Sequence, residues 1–313
     1  MMKTLVLGLL TAMTAGSVSG LKPELHDRAE IVAIGLSDSP ASDADPSVSC
    51  DQVSFTRNLR YGEFDQNMLD VATVSSKDAA SRPVLLIVAG ETFTGDGGAG
   101  DASAGALQDA AMCFAARHDM VGVRMSYRLA PASPWPAGAK DVAAAASWIH
   151  QNIDLFGGNA QEIVAIGHAA GAFHVASFLA HPEFQPDDSD IAGAVLVSGI
   201  YQASADGGDG ERAYFGIDAS KYAERSALPG LLDVQLPLML AWSATDPPRL
   251  VTQGETLKQL LCNSVAHCPR TRLLKTRESL ASGFGPDPSG NGLAELTLAF
   301  VQEIEARGLP GDR

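Results

Sequence analysis

Seven short apolar runs, separated by stretches with helical spacing, constrain this chain more than any other feature. They fall at residues 68–74, 84–89, 120–127, 162–167, 191–198, 237–243 and 271–276. Most are continuous rather than alternating, which predicts strands covered on both faces. Helical patterns fall at 104–117, 139–154, 171–181, 250–261 and 292–306. This β-α alternation predicts an α/β fold with a mainly parallel central sheet and helices on both faces.

Composition narrows the function classes. Lys and Arg total 22 against 37 Asp and Glu, a formal net charge of −15. A nucleic-acid binder needs clustered positive charge, so no nucleic-acid partner is expected. Hydrophobic residues make up 46% of 313 positions, enough to bury a real core. No apolar run approaches the roughly 20 residues of a membrane-spanning helix. Two Gly-rich stretches, 95–105 and 207–210, read as loops. Neither continues into the Lys-Ser/Thr of a phosphate-binding loop, and no cofactor is expected.

Residues 1–20, MMKTLVLGLLTAMTAGSVSG, read as a secretory signal. Lys3 precedes a short apolar run, and Ser17 to Gly20 offer a small-residue cleavage region. The expected location is secreted or periplasmic. There, disulfides persist, and four cysteines allow three pairings. Their spacing favours Cys262–Cys268, while Cys113, in a helical pattern, reads as a buried thiol. No CxxC spacing supports a zinc site, and no metal is expected. Residues 21–55, rich in Asp, Ser and Pro, read as a polar lead-in.

The chemistry concentrates in EIVAIGHAAGAFHVASFLAH, residues 162–181. A strand enters Gly167-His168-Ala169-Ala170-Gly171 and leaves as a helix. This is the pattern of a nucleophile elbow, which presents its central residue at the carboxyl edge of a sheet. A helix N-terminus beside that residue favours negative charge. Here the central residue is Ala169, and a methyl group cannot attack a carbonyl.

With this segment the chain resembles the α/β-hydrolase superfamily, in particular carboxylesterases of the hormone-sensitive-lipase and kynurenine-formamidase type. The resemblance covers roughly residues 56–306. It includes Leu69-Asp70-Val71, Tyr127-Arg128-Leu129-Ala130-Pro131, Trp135-Pro136-Ala137, Asp141-Val142, Phe156-Gly157-Gly158-Asn159 and Tyr214-Phe215-Gly216. It implies the α/β-hydrolase fold in a single domain, 56–308.

The resemblance also assigns the site. Ala169 takes the nucleophile position. Asp246, after the run 237–243, takes the acid position. Glu278, after the run 271–276, falls where the family places a His base. Gly90, Glu91 and Thr92 stand in for the oxyanion loop, which the family builds from His-Gly-Gly-Gly. A carboxylate there would repel a developing oxyanion. Ala170 and His168 flank the nucleophile position. A deliberate Ser-to-Ala change would leave the base and oxyanion loop untouched, whereas all three depart together.

The expectation is a non-catalytic or repurposed carboxylesterase-like protein that binds a small apolar or ester-like ligand, or a partner. The alternatives are an ester hydrolase with a relocated nucleophile, or a Ser-to-Ala form of an active esterase. Ser126, Ser198, Ser243 and Ser279 lie near strand ends, but none has an identifiable base. His174 reads as a packed histidine before a relocated base. His267, between two cysteines, reads as an exposed loop residue. Clustering of Glu91, Asp246 and Glu278 is conceivable if the fold holds. Trp135 and Trp148 read as core, and Trp242 as lining a pocket.

Overall fold

Every residue of the strand Arg82–Val88 is buried. Its alternate side chains serve two separate cores. Val84, Leu86 and Val88 face one, and Leu85 and Ile87 the other. A continuous apolar run is what a strand covered on both faces requires. The structure is a computed structural model, and it describes residues 50–74, 81–90, 92–95, 102–264, 268–275, 283–284 and 292–307. Residues 1–49, with the signal and most of the lead-in, lie outside the described residues.

Eight strands form one sheet: β1 (Val53–Arg60), β2 (Met68–Val74), β3 (Arg82–Val88), β4 (Val121–Met125), β5 (Gly158–His168), β6 (Gly193–Val197), β7 (Leu238–Ser243) and β8 (Arg270–Leu274). Their order is β1-β2-β4-β3-β5-β6-β7-β8. Pairing is antiparallel for β1/β2 and β2/β4 and parallel elsewhere. The mainly parallel sheet is therefore as expected.

The longer helices are α1 (Ala102–Arg117), α2 (Ala137–Asn152), α3 (Ala170–Ala180), α4 (Asp209–Phe215), α5 (Pro248–Asn263) and α6 (Leu293–Arg307). Helices α2, α3 and α5 bury residues in the core that holds Val84 and Leu86. Helices α1 and α6 close the opposite face, over Leu85 and Ile87.

The structure corrects several expectations. β1 begins at Val53, inside the segment read as a lead-in, and pairs with β2. Its central arginine is held by tertiary partners: Arg57 bonds Asp109 at 2.8 and 2.9 Å and Asp70 at 3.1 Å. Helices α1 and α4 both begin inside Gly-rich stretches expected to be loop. Cys113 is not a thiol but is bonded to Cys50, tying the start of the described chain to α1. Cys262 and Cys268 are paired, as the spacing favoured.

Candidate active site

Strand β5 passes into α3 through a single residue, Ala169, at φ 49° and ψ −112°. An alanine rarely adopts positive φ, so the surroundings must hold it there. They do so by close packing. A Cβ on Gly171 would lie 1.9 Å from the Val88 carbonyl oxygen, and one on Gly167 would lie 2.6 Å from Ala172 Cα. Only glycine lets the turn wedge between β3 and the first turn of α3. The Ala169 N–H donates to the Val197 carbonyl at 2.9 Å, which fixes the turn to β6 as well. The strand–turn–helix geometry expected from sequence is present, with the Ala169 methyl group at its centre.

His168 closes β5 and is buried, and Ala170 opens α3, also buried. Gly90 follows β3, and its carbonyl accepts the Gly171 N–H at 3.4 Å. Gly90 therefore lies against the turn at Ala169. Thr92 donates its hydroxyl to the Thr94 carbonyl at 2.7 Å. Glu91 lies outside the described residues. So do Glu278, Ser279 and His267, and with them the base position and any clustering of the three carboxylates.

Asp246 is buried three residues past the end of β7, 5% exposed. One carboxylate oxygen, Oδ2, accepts the Ser243 N–H at 2.9 Å and the Ser198 hydroxyl at 2.6 Å. The Asp246 N–H donates back to the Ser243 carbonyl at 3.1 Å, closing a tight turn before α5. Helix N-termini favour negative charge in this position. Ser198 itself sits just past β6 with φ 49° and is 4% exposed. Its partner is 48 residues away, so no local signal in the sequence announces the pair. Of the other serines weighed, Ser126 is exposed, and Ser243 is buried with its hydroxyl against Thr245 at 2.8 Å.

An aromatic cluster backs the elbow. Phe93 stacks on Tyr214 of α4 and meets Phe173, Phe215 and His174 edge-on. His174 is enclosed by this cluster and by Tyr127, with its Nδ1 3.3 Å from the Tyr214 hydroxyl. Burial drives its pKa from 6.5 down to about 3, so the ring is neutral and packed rather than poised as a base. The same burial pushes the Tyr127 and Tyr214 phenols upward. Trp242, expected at a pocket, is 6% exposed. It is buried against α5, where a Cβ on Gly254 would touch its ring at 2.9 Å. Trp148 is core, and Trp135 is half-buried with its indole N–H on Ser177 at 3.3 Å.

Sequence reasoning missed one tether at this edge. Arg249, three residues beyond Asp246, donates to Glu211 of α4 from both terminal guanidinium nitrogens, Nη1 and Nη2, and to the Ser204 hydroxyl at 3.0 Å. Among the described residues, no helix is long and apolar enough to cross a membrane.

The carboxylesterase family model matches residues 50–215, just over half of the chain. The chain belongs to the carboxylesterase family. This carboxylesterase-family chain is 31% identical over 153 residues to esterase LipC of Mycobacterium tuberculosis, covering 46% of the chain and 36% of that relative. It is 32% identical over 127 residues to phenmedipham hydrolase of Pseudarthrobacter oxydans, covering 38% of the chain and 24% of that relative. The match thus spans about a third or less of these relatives' length. Among solved structures, Esterase B of Lactobacillus rhamnosis superposes with a TM-score of 0.68 at 15% identity, covering 90% of this chain and 92% of that one. A likeness at that identity establishes the fold, which is the α/β-hydrolase fold.

Proposed function

We propose that this protein is a carboxylesterase-family member released from ester hydrolysis, whose cleft binds a small apolar or ester-like ligand. The observation that carries the reading is Ala169: an elbow backbone at φ 49° with a methyl group in the nucleophile position. In this reading Asp246 is the retained acid and Glu278 a replaced base. Gly90, Glu91 and Thr92 form an oxyanion loop that no longer favours an anion. Ala170 and His168 are the elbow's flanks. Ligands of this fold enter at the carboxyl edge of the sheet, and among the described residues Gly90, His168, Ala170 and Asp246 lie at or just past the carboxyl ends of β3, β5 and β7.

The reading also places the chain outside the cytoplasm. The apolar leader at 1–20 and the two disulfides support export. It treats the remainder as one α/β-hydrolase domain reaching to about residue 308.

The test is hydrolysis of p-nitrophenyl acetate and butyrate by the purified protein, beside Ala169→Ser and Ala169→Ser/Glu278→His variants. The expected result is no steady turnover by the native protein and partial rescue in the double variant alone. Steady turnover by the native protein overturns the reading.

A further inference from the structure

Strands β5, β6 and β7 are neighbours in the sheet, and each is followed within three residues by one of chemical interest: Ala169 after β5, Ser198 after β6 and Asp246 after β7. The middle one has so far no role. Ser198 stands between the empty nucleophile position and the acid position. Its neighbour Val197 accepts the Ala169 N–H at 2.9 Å, and its own N–H donates to the Ala241 carbonyl at 2.8 Å. Like Ala169, it is held at φ 49°, a conformation that a serine adopts only when its surroundings impose it. Its hydroxyl is aimed at the Asp246 carboxylate at 2.6 Å, within the range for a proton acceptor of a nucleophile. Asp246 is itself fixed by the Ser243 N–H, while the Ser243 hydroxyl turns away to Thr245. The first turn of α3 begins at the same edge, where its Gly171 N–H is held by the Gly90 carbonyl at 3.4 Å and its Phe173 N–H by the Ala169 carbonyl at 3.1 Å.

We propose that Ser198 and Asp246 form a nucleophile–base pair that captures the acyl group of a small activated carboxylic ester. The inference rests on the reading of this cleft as ester-receiving and deepens it. In the step, Ser198 Oγ attacks the ester carbonyl carbon, and its proton passes to Asp246 Oδ2. The tetrahedral adduct then collapses and the bond to the alcohol oxygen breaks. The leaving alkoxide takes the proton back from Asp246. The products are acyl-Ser198 and the free alcohol, with the carboxylate regenerated. A carboxylate is a weaker base than an imidazole, so water attacks the acyl-serine slowly and the adduct accumulates. The near-complete burial of Ser198 restricts the acyl group to a small one, such as acetyl.

The experiment incubates the disulfide-bonded protein with p-nitrophenyl acetate and maps acetylated peptides by mass spectrometry. Binding of ethyl acetate, an unactivated ester, is followed in parallel by NMR. The expected result is one acetyl group on Ser198, with labelling slowed by about 100-fold or more in Asp246→Asn. Ser198→Ala should lose the label while a near-native far-UV spectrum reports its fold. Binding without a label on Ser198 overturns the pair and leaves the ligand-binding reading standing. Neither binding nor labelling overturns both. A label on Ser198 that forms at an unchanged rate in a folded Asp246→Asn variant also overturns the pair.

Discussion

The Phe93 ring lies on the Tyr214 ring, with centroids 4.6 Å apart and planes 16° from parallel. One residue belongs to the loop after β3 and the other to α4, so this stack joins that loop to α4. Both rings are nearly fully buried. Phe93→Ala should therefore cost about 3–5 kcal/mol, by lost burial and the cavity left behind. Urea unfolding measures it, and a cost below about 1 kcal/mol would mean the stack carries no structure.

The elbow gives a paired prediction. Gly171→Ala drives a methyl group into the Val88 carbonyl, where backbone rather than a side-chain tip must move. The cost should reach about 3 kcal/mol or more. Ala169→Gly should be neutral or stabilising by about 1 kcal/mol, because glycine meets no penalty at positive φ. In thermal unfolding Gly171→Ala should lower the midpoint while Ala169→Gly leaves it unchanged or raises it. If Ala169→Gly destabilises as much as Gly171→Ala, the turn is not strained at Ala169.

Acid should unfold the protein partly through His174. Its pKa in the fold is about 3, against 6.5 ordinarily, because burial disfavours the imidazolium. The unfolded chain thus binds a proton that the native state refuses. Stability from this residue is complete above about pH 6.5 and is lost as pH falls towards 3, at up to about 1.4 kcal/mol per pH unit. Between pH 7 and 5 the native protein should lose about 2 kcal/mol more than His174→Gln does. Urea midpoints at the two pH values decide this, and equal losses would remove His174 from the account.

The two disulfides should differ in worth. Cys50–Cys113 closes a separation of 63 residues and Cys262–Cys268 one of 6. Chain entropy assigns them about 4 and about 2 kcal/mol. Double Cys→Ala variants at each pair, compared by urea unfolding, should keep that order. The reverse order would point to native-state packing as the larger contribution.

The sequence made the interior of the sheet legible and its margins less so. β2 was read with its observed bounds, because its apolar run and its pairing coincide at Met68–Val74. β5 reaches back to Gly158, four residues earlier than its apolar run, since Gly-Asn-Ala-Gln carries no hydrophobic signal and is drawn in by pairing with Arg82. β1 was missed because an edge strand with Arg57 and Asn58 has no continuous apolar run. Its charge is met by Asp70 and Asp109, which only the fold brings near. The strand–turn–helix passage at Ala169 is legible because it depends on neighbours in sequence. Ser198 was noticed only as a hydroxyl near a strand end. Its meeting with Asp246 follows from β6 lying beside β7, a relation that no local pattern encodes. Arg249 and Glu211 were invisible for the same reason.

The turn that carries Ala169 is held by the Val88 backbone, by Val197 and by the start of α3, and by nothing that its own side chain does. Contour and reactivity are therefore separable at this edge of the sheet. A single oxygen atom added at residue 169 would alter what the cleft can react with, while a visiting molecule would meet nearly the same wall.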